Sequence, residues 1–150
     1  MTRDASKGSA KKLLEYGSNI TLQECDLNSE SSLASALEGA DGFFALTNYF
    51  SHKIDKVEDI TEEKEGKLIA DVAKKVGIKH FIWSTLNEVK ERSGGKFKQV
   101  YHFDGKYRVE QYARSLGFEI ASFVAPSCYF QNFMGGMSYK VPLTLFLSYL

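Results

Sequence analysis

The chain has 150 residues, of which 43% are hydrophobic and 25% charged, with 19 basic and 19 acidic side chains and a formal net charge of zero. That length and apolar content suit a single folded domain with a real core and exclude disorder, while the balanced charge and the lack of a basic cluster argue against direct nucleic-acid binding. No run approaches the roughly 18 apolar residues that span a bilayer, MTRDASKGSAKK lacks a signal core, and VPLTLFLSYL is short and interrupted, so no membrane role is expected.

In chain order, SKGSAKKLLEYG puts Leu13 and Leu14 on one helix face with Gly17 as a stop. ITLQEC (20–25) reads as a strand. SESSLASALEGA follows as a helix with Ser29 as N-cap and Gly39 as a stop. GFFALT (42–47) is the second strand, and TEEKEGKLIADVAKKVGI a helix with Leu68, Val72 and Val76 at helical spacing, acidic residues early and lysines late. KHFIWST (79–85) is the third strand, a helix runs from near Asp104 to Gly117, and FEIASFVAP (118–126) is the fourth strand. This alternation predicts parallel βαβ units in a doubly wound α/β layer, one domain over residues 1–150. The connections from about Tyr49 to Ile60 and from Asn87 to Tyr101 are long enough to suggest function.

Cys25 and Cys128 form no CxxC pair and read as reduced thiols of a cytoplasmic or nuclear protein. His52, His80 and His102 share no metal-ligand spacing with them, so no metal site is expected.

The segments TRDASKGSAKKLLEYG, ALTNYF, EEKEGKLIADVAKKVGIKHFIWSTL, SGGKF, HFDGKYRVEQY and PSCYFQNFM, with the Cys25–Asp26 turn, stand in the order and spacing of the NmrA-like family. The chain resembles that family over residues 1 to 137. These are atypical short-chain dehydrogenase/reductase relatives that bind NADP and include redox-sensing regulators of transcription. The resemblance implies a partial Rossmann-like fold that lacks the first βα unit, with its glycine-rich phosphate turn, and the C-terminal substrate region. Gly94-Gly95 and Gly135-Gly136 lack the strand-turn-helix setting that could replace that turn.

Site residues carry over position by position. Arg3, with Lys7 behind it, follows the missing second strand, where a cation suits the 2′-phosphate of NADP. Asp26 and Leu27 match the adenine side, Leu27 offering only apolar packing, and Asp26 is equally readable as a turn aspartate. Thr47, Asn48 and Tyr49 match the loop beside the nicotinamide ribose, and Lys64 matches a cofactor contact, although its helix-surface setting also suits an i, i+4 ion pair. Tyr129, Phe130, Gln131 and Asn132 match the segment that closes over the nicotinamide.

The catalytic Tyr-x-x-x-Lys pair is incomplete. Lys106 is retained, and the resemblance makes it a cofactor contact that holds the nicotinamide ribose, but the position four residues before it holds His102, and Tyr101 lies one residue too early, about 100° round the helix. Ser84 or Thr85 stands near the usual catalytic serine, a place where a strand-end hydroxyl also serves a local turn. The expected function is an NADP(H)-binding redox sensor acting on a protein partner, such as a transcription regulator, or on a second copy of itself. The alternatives are a reductase using Lys106 and His102, and an inert fragment.

Overall fold

The structure, a computed structural model, describes residues 1–49 and 61–126. Its centre is a parallel sheet of three strands, β1 (Gly42–Ala45), β2 (His80–Ser84) and β3 (Ile120–Val124), in the order β1-β2-β3. Register pairs Phe43 with Phe81 and Trp83 with Phe123. Around it stand α1 (Gly8–Lys11), α2 (Glu30–Leu37), α3 (Thr61–Lys75), α4 (Val89–Arg92) and α5 (Tyr101–Ser115). The parallel α/β architecture expected from the alternation of elements is present.

Period-two alternation explains how the sheet is buried. Phe43, Ala45, Phe81 and Trp83 point into a core built with Leu33 and Leu37 of α2, Ile69, Val72 and Ala73 of α3, and Val109 and Ala113 of α5. Phe43 meets Phe81 edge to face at 6.2 Å, and Phe81 stacks on Phe118 at 4.7 Å. On the other face Phe44 and Leu46 are each 55% exposed.

Local signals account for the helix ends. Ser29 caps α2, its hydroxyl accepting from the Ser32 N–H at 3.3 Å. Glu62 and Glu63 lie in the first turn of α3 and Lys74 and Lys75 in the last, matching the helix dipole, and Gly77 beyond it has φ +84°.

Three expectations are corrected. Residues 20–25 form no strand: Glu24 makes a single parallel bridge to Thr2, through Thr2 N–H to the Gln23 carbonyl and Cys25 N–H to the Thr2 carbonyl, both 2.9 Å. Only one residue pairs with the segment, too little for a ladder. The first helix is a four-residue α1 followed by a 3-10 turn over Lys12–Tyr16, and Leu13 and Leu14 are exposed rather than buried on a face. The helix expected from Asp104 begins at Tyr101. Asp104 lies in its first turn, where its carboxylate accepts from the Val89 N–H at 2.8 Å and holds α4.

Candidate functional site at the carboxyl ends of the strands

Parallel strands leave a crevice beyond their carboxyl ends, where open α/β folds bind ligands. Here it holds a cavity of about 360 Å³ bounded by Thr2, Arg3, Cys25, Asp26, Leu27, Leu46, Asn48 and Glu65, among others. Four residues predicted for the cofactor, Arg3, Asp26, Leu27 and Asn48, thus meet at one cavity although they come from three separate segments.

Each is placed by local chemistry. The Thr2–Glu24 bridge brings Arg3 beside the Cys25–Asp26 turn. One Asp26 carboxylate oxygen accepts from the Asn28 N–H at 3.0 Å, and the Asp26 N–H donates to the Ser32 hydroxyl at 3.0 Å, so this aspartate builds the turn as well as lining the cavity. Asn48 lies three residues beyond the end of β1. Glu65, on the first turns of α3, adds a buried carboxylate to the wall. Nothing in the sequence marked it, because EEKEGK reads equally well as a solvated helix face.

Deeper in the fold, a second group surrounds Lys106. Its side chain is buried, and its ammonium donates to the Thr47 carbonyl at 2.9 Å and the Thr47 hydroxyl at 3.0 Å, and pairs with Glu62 Oε1 at 2.9 Å. The Thr47 hydroxyl in turn donates to the same Glu62 oxygen at 2.8 Å. An ammonium has three N–H donors, and three acceptors are in place. Glu62 is only 2% exposed, and its Oε2 has no hydrogen-bond partner among the described residues. The Trp83 ring lies 5.4 Å from the ammonium, and its indole N–H donates to the Lys106 carbonyl at 3.0 Å. Thus the end of β1, the first turn of α3, the interior of β2 and α5 converge on one lysine.

The remaining predicted residues are dispersed. His102 lies on α5 with its ring 5.6 Å from that of Tyr49 and 4.8 Å, edge on, from Phe103. His102 and Tyr49 are therefore together, beside the Thr47–Asn48 turn. Lys7 is exposed ahead of α1 and Lys64 is exposed on α3; neither belongs to the cavity wall. The Thr85 hydroxyl lies 3.3 Å from the Leu86 carbonyl and 3.4 Å from that of Lys106, which ties the end of β2 to α5, and Ser84 is buried. Tyr129, Phe130, Gln131 and Asn132, with Cys128 and His52, lie outside the described residues. Among the described residues no cluster of histidine, cysteine and carboxylate could hold a metal, and no helix is long and apolar enough to cross a membrane.

Two solved structures of similar fold carry the names of reductases. An NADPH-dependent quinone oxidoreductase of Escherichia coli, crystallised with NADPH, superposes with a TM-score of 0.62 at 17% identity, covering 88% of this chain and 40% of that one. The triphenylmethane reductase of Citrobacter sp. gives 0.64 at 15% identity, covering 95% and 44%. At such identities the likeness establishes the fold. In sequence, the chain is 32% identical over 139 residues to an NmrA-like family domain-containing protein of Dictyostelium discoideum, covering 89% of this chain and 43% of the relative. It is 33% identical over 135 residues to the NmrA-like family domain-containing oxidoreductase FrzB of Cladobotryum sp, covering 89% and 39%. The chain therefore spans about two fifths of the length of these relatives. The NmrA-like family model matches residues 1–142, and the chain belongs to the NmrA-like family.

Proposed function

We propose that the chain is part of an NADP(H)-binding regulatory module that reports cofactor state to a protein partner or to a second copy of itself. The observation that carries this reading is the cavity where Arg3, Asp26, Leu27 and Asn48 meet. A guanidinium at one wall suits a phosphate dianion, Leu27 gives an apolar surface for a base, and the carboxylates of Asp26 and Glu65 suit hydroxyl and amino donors. NADP offers all of these groups, and it is the cofactor named for the bound quinone oxidoreductase neighbour. A sensor needs binding without turnover. The ammonium of Lys106 has its acceptors within the chain, and the residue one helical turn before it is His102, not a tyrosine.

Calorimetric titration with NADP⁺ and NAD⁺ tests the assignment. Tighter binding of NADP⁺, reduced in Arg3→Ala, is the expected result; equal or tighter binding of NAD⁺ would remove it.

A second reading, an NAD(P)H-dependent reductase, is favoured by the contact of His102 with Tyr49 beside the Thr47–Asn48 turn, which gives a proton carrier near the place expected for a nicotinamide. The name of the Cladobotryum relative as an oxidoreductase points the same way.

A further inference from the structure

We infer that Glu62 is a positioning residue: it holds the Lys106 ammonium at the carboxyl end of β1 and thereby sets the Thr47–Asn48 turn that borders the cavity. The inference rests on the proposed cofactor site for its functional meaning and on the geometry around Glu62 for its substance.

Lys106 reaches Thr47 and Glu62 from α5, across 59 and 44 positions of sequence respectively, and both partners converge on it within 3.0 Å. Of the three acceptors, only Glu62 carries charge, and it is nearly inaccessible to water, so its attraction for the ammonium is the least screened in the group. Thr47 is held twice, by the ammonium at its carbonyl and hydroxyl and by Glu62 at its hydroxyl. The next residue, Asn48, lines the cavity. Removing the Glu62 charge therefore loosens the ammonium and the turn together, without touching any group on the cavity wall. The free Glu62 Oε2 has the same meaning: the carboxylate is buried with one oxygen doing both jobs, and its remaining acceptor is left without a partner among the described residues.

Trp83 provides a direct reporter. It is the sole tryptophan of the chain, and its ring lies 5.4 Å from the Lys106 ammonium, close enough for the cation's field to act on indole emission. The test compares the parent with Glu62→Gln, which keeps the shape and loses the charge, and Glu62→Asp, which keeps the charge one methylene farther back. Two quantities are measured: Trp83 emission without cofactor, and NADP⁺ affinity by calorimetry. The expected result is a shifted Trp83 emission in Glu62→Gln with an intermediate value in Glu62→Asp, and a loss of affinity of about tenfold in Glu62→Gln, partly restored in Glu62→Asp. In a Lys106→Met background, Glu62→Gln changes neither quantity further, because Glu62 acts through Lys106.

Parental emission from a folded Glu62→Gln, or equal effects in the two backgrounds, would overturn the inference. Should Glu62→Gln not fold, parental emission and affinity in Glu62→Asp would overturn it. If the parent itself binds no NADP⁺, the proposed function fails, while the emission series still decides whether Glu62 positions Lys106.

Discussion

Gly66 of α3 lies directly against Val109 of α5: a β-carbon on Gly66 would stand 2.7 Å from Val109 Cγ2 and 3.0 Å from Trp83 Cη2. Both neighbours are fully buried, so neither can move aside into solvent. The missing side chain lets the two helices close over Trp83, and this contact sets how deeply α5 can seat Lys106 beside α3.

Gly66→Ala is accordingly expected to destabilise the protein by about 1–3 kcal/mol through overpacking, even though alanine favours a helix by up to about 1 kcal/mol. Urea unfolding measures it. Adding Val109→Ala should recover part of the loss, because it removes the two methyl groups that clash, and the pair should be clearly non-additive.

The pairing of Glu62 with Lys106 was invisible in the sequence, whereas the elements that carry it were not. Ser29, the glycine stops and the alternation around Phe43, Phe81 and Trp83 are local signals, and local signals survive into the fold. The role of Asp104 was not legible, because its carboxylate accepts from the Val89 N–H across 15 residues of sequence. ITLQEC has the composition of a strand, but a strand forms only where a neighbour pairs with it, and here Thr2 alone does. At the cavity, Asp26, Leu27 and Asn48 were legible through the family resemblance, each following a strand-like segment, and Arg3 through the resemblance alone. Glu62 and Glu65 were not, since both lie in an acidic helix start whose burial is decided by tertiary packing.

Lys106 and Glu62 also make a stability prediction. Removing one member of a buried ion pair strands the other charge, so Lys106→Met alone should cost about 3–5 kcal/mol, while the double variant Glu62→Met, Lys106→Met should return close to parental stability. Denaturant midpoints of the four proteins close this cycle. A loss of cofactor binding in a Lys106 variant is therefore interpretable only beside its unfolding curve.

The Glu63 carboxyl is pulled two ways. Burial acts to raise it, but hydrogen bonds from Lys67 at 2.7 Å and Arg108 at 2.6 Å, with their charges, outweigh burial and hold it below the ordinary carboxylate range. A depressed folded-state value means that the unfolded chain takes up the proton first. The stabilisation is complete above the unfolded value of about 4.3 and disappears as pH falls through the lower folded value. Glu63→Gln should therefore melt below the parent at pH 7, by a modest margin of under about 1 kcal/mol for such partly exposed pairs, and the difference should shrink as pH falls below the unfolded value. Thermal melts over a falling pH series check it.

Cys25 is buried and lines the cavity, so its alkylation reports occupancy. In the presence of NADP⁺ at ten times its Kd, labelling of Cys25 by iodoacetamide should slow about tenfold, following the fraction of protein left unliganded. Mass spectrometry of the peptide resolves the rate. Unchanged labelling at a concentration shown by calorimetry to saturate the protein would place the cofactor away from this cavity.

His102 separates the sensor from the enzyme. Its ring packs between Tyr49 and Phe103, a setting in which an imidazole fills space beside the Thr47–Asn48 turn without needing to transfer a proton. If the module senses cofactor, the protein should bind NADPH yet show no steady oxidation of it with quinones, aldehydes or enones, and His102→Ala should bind NADPH as the parent does. If His102 instead protonates a substrate as hydride leaves the cofactor, NADPH oxidation should be measurable in the parent and fall by about 10²- to 10⁴-fold in His102→Ala with affinity intact. The comparison depends on the split between binding and turnover: a merely structural histidine would lower both through folding, a bystander would lower neither, and only a general acid lowers turnover alone. Substrate-dependent oxidation with that pattern would replace the sensor by a reductase in which His102 stands where other short-chain reductases place a tyrosine.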